Sequence, residues 1–258
     1  MKLGLENKVV LITGGSKGIG FACARLFGEE GATVVISSRS QVNIDGALER
    51  IPGAVGFAAD VSSDADALNM IQSVEKQFGK IDVLVNSAGA AKRTAVADLT
   101  PAAWRAAMDA KYFTYINVID PVIKLMAARK SGVVINIIGN GGKTASPLHL
   151  AGGAANAALM LATVGLATAY GDQGIRVIGL NPGFTETDRV TEGLKTDAKQ
   201  NGITEAEARD AAIKRIPMGR MATPEEVAQV TVFLASEQAS YVTGVNIGMD
   251  GGQTTTLV

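Results

Sequence analysis

The sequence predicts a doubly wound α/β fold, a parallel sheet of strands with helices on both faces. Three observations predict it. Short, β-branched, almost wholly apolar runs alternate with helix-length segments along the chain, as in a parallel sheet whose strands are covered on both sides. The first run leads directly into a glycine cluster and then a helix. The chain is 258 residues long, a length that one α/β domain often fills undivided.

The strand candidates, in order, are "KVVLIT" (8–13), "TVVIS" (33–37), "AVGFAA" (54–59), "IDVLVN" (81–86), "VVINII" (133–138) and "IRVIGL" (175–180). Helices are expected between them. "IGFACARLFGEEG" ends at Gly31, a suitable left-handed terminator. "DADALNMIQSVEKQFG" starts after Ser63 and stops at Gly79. "TPAAWRAAMDAKYF" opens with Thr100 as N-cap and Pro101 in the first turn, and "TPEEVAQVTVFLAS" repeats that opening at Thr223 and Pro224. Residues 184–220 break the rhythm with a polar, charged segment. An insertion of this length after a strand end reads as a lid over a ligand, or as a solvated helical pair. Its apolar pieces, "GLK" and "AAIKRIPM", hint at a partly hydrophobic substrate.

The net charge is −1. That provides no field for nucleic acid or an anionic membrane, so the expected partner is a small molecule. The single cysteine, Cys23, excludes an intramolecular disulfide and fits a reducing, cytoplasmic location; it is expected as a buried small hydrophobe. The N-terminus enters a strand without an apolar signal core, and no apolar run is expected to reach the ~20 residues of a membrane span. No metal site is expected.

"VVLITGGSKGIG" carries the strongest functional signal. A strand runs into Gly14, Gly18 and Gly20 and a helix follows, so backbone can approach a pyrophosphate closely at a positive helix N-terminus. The spacing is G-x-x-x-G-x-G, and "TGGSKGIG", with Ser16, Lys17 and Ile19 between its glycines, resembles the loop of the short-chain dehydrogenase/reductase family. So do "ADVS" with Asp60 and Val61, "NSAG" with Asn86, Ala88 and Gly89, "GIRVIGLNPGFTET" with Pro182, Gly183, Thr185 and Thr187, and "GMDGG" (248–252) as a final strand. The resemblance spans nearly the whole chain. It implies a single Rossmann-type domain over residues 1–258 with about seven strands, and assembly as a homo-tetramer or homo-dimer. At the end of the second strand, where an acidic residue would select NAD, stand Ser38 and Arg39; with Lys17 they favour NADP(H), with NAD(H) as the alternative.

The resemblance also implies a catalytic serine, tyrosine, lysine and asparagine, and none is in place. Gly139 takes the serine's position, Gly152 the tyrosine's and Asn156 the lysine's when counted back from "GIRV", and Lys111 takes the asparagine's. Lysine and asparagine are exchanged. His149, the only histidine, precedes Gly152 by three residues, about 4.5 Å along a helix and roughly on one face. The expected site is therefore His149 as general acid, leaning over the small residues 151–155, with Lys111 near the vacated amine, Asn156 linking ribose or water, and Asn140 donating to the substrate oxygen. Plainer roles exist for each: His149 as a helix-start residue, the small run as a packing surface between subunits, Lys111 as a solvated lysine, and Lys143 facing solvent. Two functions fit. One is an NADP(H)-dependent oxidoreductase interconverting a carbonyl and an alcohol with a relocated proton donor. The other is a nucleotide-binding protein without hydride chemistry: a sensor, an inactive oligomer partner, or a hydratase or lyase.

Overall fold

The apolar runs form seven strands in the computed structural model, which describes residues 1–89 and 91–255: β1 (Val9–Thr13), β2 (Thr33–Ser38), β3 (Val55–Ala58), β4 (Val83–Asn86), β5 (Gly132–Ile137), β6 (Ile175–Pro182) and β7 (Asn246–Met249). The order is β3-β2-β1-β4-β5-β6-β7, and the named pairs are all parallel. The direction of winding reverses between β1 and β4, which opens a crevice at their carboxyl ends. The seventh strand starts two residues before the stretch expected for it and covers only its first two residues: β7 ends at Met249, and Gly251 and Gly252 turn the chain with φ of +64° and +83°.

Nine helices are described: α1 (Gly18–Glu29), α2 (Gln41–Leu48), α3 (Asp64–Phe78), α4 (Pro101–Met108), α5 (Thr114–Arg129), α6 (Leu150–Tyr170), α7 (Asp188–Asn201), α8 (Glu205–Lys214) and α9 (Pro224–Ala235). Helices α1, α2 and α9 bury Phe27, Ile44 and Val227 against one face of the sheet, together with Cys23, which is fully buried. Helices α3, α5 and α6 cover the other face with Ile71, Val118 and Leu159. The caps follow the sequence. The Ser63 hydroxyl accepts from the Asp66 N–H and Gly79 closes α3 at φ +77°; the Thr100 hydroxyl accepts from the Ala103 N–H; Thr223 and Glu226 form a reciprocal capping box.

Two expectations need correction. The helix expected from Thr100 to Phe113 is one piece of a longer path: α4 ends at Met108, a π-helical turn spans Asp109–Phe113, and α5 carries on to Arg129. The stretch Leu150–Gln173, which contains α6, is long and apolar enough to cross a membrane by length and composition, contrary to the reading of the sequence. Here it packs one face against the sheet, because alanine and glycine make it apolar while Asn156 and Thr163 face inward.

Residues 184–220 form α7 and α8 around a small core of their own, Leu194, Ala212, Ile216 and Met221. Of the apolar residues read as substrate contacts, Leu194, Ala212 and Ile216 are consumed by internal packing, whereas Met218 stays exposed.

Candidate active site

The crevice begins at the glycine loop. A Cβ on Gly14 would lie 2.9 Å from the Ala88 nitrogen, and one on Gly20 would collide with the Gly14 carbonyl oxygen. Only glycine permits this approach of β1, α1 and the β4 loop. The Thr13 hydroxyl accepts from the Ser87 and Ala88 N–H groups at 3.2 Å, which fixes that loop after Asn86. Lys17 is the N-cap of α1 but its side chain makes no cap hydrogen bond, and no acidic residue occupies the first turn. The helix therefore presents N–H groups and a positive end toward the crevice, with Ser16, Gly18 and Ile19 at its mouth. From across the crevice the Thr187 Cγ2 comes within 3.4 Å of a Cβ built on Gly18. The Thr185 hydroxyl donates to the Gly183 carbonyl at 3.3 Å, and the chain leaves Pro182 at the end of β6. At the outer end, Ser38 closes β2 and Arg39 is exposed. The Asp60 carboxylate, beside Val61, is held below its usual range chiefly by hydrogen bonds from Ser62, with a smaller contribution from Arg39. These residues fit a dinucleotide: a cradle that side chains would fill, a free helix N-terminus, and a cation where β2 ends.

At the inner end lies the stretch "HLAGGAANAALM". His149 is the N-cap of α6 without a side-chain cap bond. Its imidazole fills the volume of the side chain that residue 152 lacks: a Cβ on Gly152 would be 2.6 Å from Nε2 and 2.8 Å from Nδ1. Gly153 and Gly142 are also structural. Cβ atoms there would meet the Gly141 carbonyl oxygen at 2.6 Å and the Ala157 nitrogen at 2.7 Å, so the short turn Asn140–Gly142 lies directly on α6. The glycines thus face inward, and among the small residues Ala154 and Ala157 are exposed. Asn156 is buried beneath the same turn, its Nδ2 within 3.3 Å of a Cβ on Gly141. The buried Nδ1 of His149 and Oδ1 of Asn156 have no hydrogen-bond partner among the described residues. Buried orphans of this kind are uncommon and need a reason.

Lys111 is buried in the π-helical turn, so the reading of it as solvated fails. Its Nζ donates to the Tyr115 hydroxyl at 2.9 Å and to the Ile137 carbonyl at 3.3 Å, and the Tyr115 hydroxyl donates to that same carbonyl. It does not bond Asn156. Burial, and to a lesser extent Arg189, pulls its pKa from 10.5 to about 7. The expected role of Asn140 also changes. Its Nδ2 donates to Asp250 (2.6 Å) and Thr254 (3.2 Å), which leaves an orphaned Oδ1 and no amide hydrogen for a substrate oxygen. Lys143 does not simply face solvent, since it donates to the Asn246 carbonyl at 3.1 Å.

Three residues were missed in the sequence. Tyr115 stands one helical turn after Lys111, a spacing visible in "KYFTY". Arg93 pairs with both oxygens of Asp197 at 2.6 and 2.7 Å, joining the loop after β4 to α7. Arg189 donates to the Gly89 carbonyl at 3.1 Å. The His149 pKa is lowered first by burial and then by Arg93, Arg189 and Lys111. A cavity of about 640 Å³ lies at the opposite, amino-terminal ends of the strands. Its arginine, Arg176, is already engaged, donating to the carbonyls of Leu234, Ala235, Ser236 and Val242.

A glycine cradle, a free helix N-terminus and a topological reversal define a dinucleotide-binding α/β protein. Residues 14–254 match the family model described as enoyl-(acyl carrier protein) reductase, and the chain belongs to the short-chain dehydrogenase/reductase family. It is 36% identical over 96% of its length to a 3-oxoacyl-(acyl-carrier-protein) reductase of Thermotoga maritima, covering 98% of that protein. It is 33% identical to an NADPH-dependent reductase of Bacillus subtilis, with 96% and 98% of the two chains covered. The L-sorbose reductase of Gluconobacter frateurii, solved with NADPH and L-sorbose, superposes with a TM-score of 0.92 at 30% identity over 100% of both chains.

Proposed function

We propose that this protein is an NADP(H)-dependent reductase interconverting a carbonyl and an alcohol, with His149 as its proton donor. The observation that carries the reading is the imidazole in the volume of the missing side chain at Gly152, with an orphaned ring nitrogen. NADPH, held by the glycine loop, the β4 loop, Thr187 and Arg39, supplies a hydride to the carbonyl carbon when bound. The chain supplies the rest. His149 gives its proton to the carbonyl oxygen as the C=O bond becomes C–OH and returns to neutral imidazole. Asn156 holds a water or ribose hydroxyl beneath the Gly139–Gly141 turn through its free Oδ1. Lys111 and Tyr115 fix the Ile137 carbonyl and with it the floor of the site. The NADPH-binding relatives and Arg39 together support NADP(H) over NAD(H). In the family's serine, tyrosine and lysine positions we place Gly139, Gly152 and Asn156.

The test follows NADPH absorbance with a panel of ketones, quinones and acyl thioesters. His149→Phe should lower kcat by ~10²-fold or more and leave NADPH affinity unchanged. The wild-type rate should fall as pH rises through a pKa below the ordinary histidine value, because the acid form is the active one. A phenylalanine variant with near wild-type kcat removes histidine from the mechanism. Nucleotide binding without turnover of any panel member favours the non-redox reading, to which the absent tyrosine already lends weight.

A further inference from the structure

The proposed acid sits in a surrounding that works against it. Three cations act on His149: Arg93, Arg189 and Lys111. A general acid must hold a proton until transfer, and neighbouring positive charge expels it. Of the three, only Arg93 has a carboxylate, Asp197. Arg189 and Lys111 form no ion pair among the described residues.

The geometry holds these groups together independently of any titration: the Arg93 guanidinium carbon lies 3.6 Å from a Cβ built on Gly193, one turn along α7 from Arg189. Thr94, next to Arg93, donates its N–H to the Leu148 carbonyl at 3.2 Å, which sets the arginine loop beside His149. Gly89, whose carbonyl takes the Arg189 guanidinium, packs on the π-helical turn: a Cβ there would lie 3.5 Å from the Lys111 Cα. Arg189, an exposed residue, also occupies the first turn of α7, where the helix dipole disfavours a cation, and among the described residues its side chain bonds to a neutral carbonyl. Its other N–H donors have no described partner.

Resting on the reductase reading above, we infer that the substrate is an anion, an oxo acid whose carboxylate is bound by Arg189 beside His149. A carboxylate placed there supplies the missing counter-charge. It satisfies the guanidinium fork by charge-assisted hydrogen bonds, and it raises the proton affinity of His149 only once substrate is bound. The acid is thereby charged when needed and neutral otherwise.

The cofactor's phosphates are the other anions within reach, so the test separates the two. The NADP⁺-saturated enzyme is titrated calorimetrically with 2-oxobutyrate, acetoacetate and 2-oxoglutarate, and with the methyl ester of each. At least one acid should bind ~10-fold or more tighter than its ester, about 1.4 kcal/mol. Arg189→Gln should abolish that preference, Arg189→Lys should keep part of it, and neither should move NADPH affinity beyond ~2-fold. Equal binding of acid and ester, no saturable binding by any acid, or a preference that survives in Arg189→Gln overturns the inference. So does a loss of NADPH affinity in that variant, which would assign the guanidinium to the cofactor. The readout needs no turnover. Acid-selective binding without NADPH oxidation removes the reductase reading alone, and turnover of neutral ketones without selectivity removes the anion site alone.

Discussion

At the scale of single residues, the informative positions are those where charge and burial conflict. Lys111 is 6% exposed, bonded to two neutral groups, and shifted to a pKa of about 7 from 10.5. Below pH 7 the folded protein holds a buried ammonium, and its full cost is present. Between 7 and 10.5 the unfolded chain binds the extra proton, so stability rises with pH across that window. Lys111→Met should therefore stabilise the fold by ~1–3 kcal/mol at pH 7, and the gain should shrink as the pH approaches 10. Tyr115 keeps its bond to Ile137, so no orphan is created. The same change should lower activity. Denaturant titrations at pH 7 and pH 9.5, with an activity assay, check both; a destabilised variant at pH 7 would show that the amine's hydrogen bonds outweigh its desolvation. Arg39 conflicts with nothing. It is exposed at the end of β2, and its role rests on charge alone. Arg39→Asp should cost ~2 kcal/mol of NADPH binding and spare NADH. A wild type that prefers NADH, or a variant that binds NADPH as before, contradicts the assignment.

At the scale of elements, the segment of α7 and α8 is joined to the rest mainly by polar ties. They include the Arg93–Asp197 and Arg220–Glu226 pairs, the Arg189–Gly89 and Met218–Gly251 bonds and the Thr185–Ala222 bridge. Its own core is small and its surface polar, so it opens at lower free energy than the sheet does. Amides from 184 to 220 should exchange rapidly in the free protein and slow when NADP⁺ and substrate are bound. Ligand-independent protection across the segment would make it a fixed part of the core. This segment also shows what the sequence could tell. Its existence was legible, because a long polar stretch interrupts the α/β alternation. Its helices were not, because their apolar positions are few and resemble substrate contacts. The sheet and the caps at Thr100 and Thr223 were legible because periodicity and capping chemistry are local. The ring of His149 over Gly152 was legible from spacing along one helix. The partners of Lys111 and Asn140 were not. Ile137, Asp250 and Thr254 reach those residues only through the fold, and the π-helical turn that buries Lys111 has no local signature.

At the scale of the whole molecule, α6 joins the candidate site to the surface. One face carries Gly152, Asn156 and Leu159 inward, while the other exposes Leu161 (76%) and Val164 (38%) among Ala154, Ala157 and Gly165. Trp104 and Phe113, on α4 and the π-helical turn, are also exposed. A contiguous helix face this apolar is costly to leave in water, and small residues along it allow close approach of a second helix. The occupant we propose is another copy of the same chain. The face is self-complementary in kind, and a net charge of −1 imposes little repulsion between copies. In a two-fold pairing each residue counts twice, and a buried leucine contributes about 1.5–3 kcal/mol. Leu161→Glu should therefore place two carboxylates in the interface and break it, lowering the sedimentation coefficient of the wild-type oligomer at micromolar concentration. Because Asn156 and Leu161 share one helix, the variant should also be less active than wild type at the same concentration. A wild type that sediments as a monomer, or a variant that sediments with it, rules out α6 as the contact between copies.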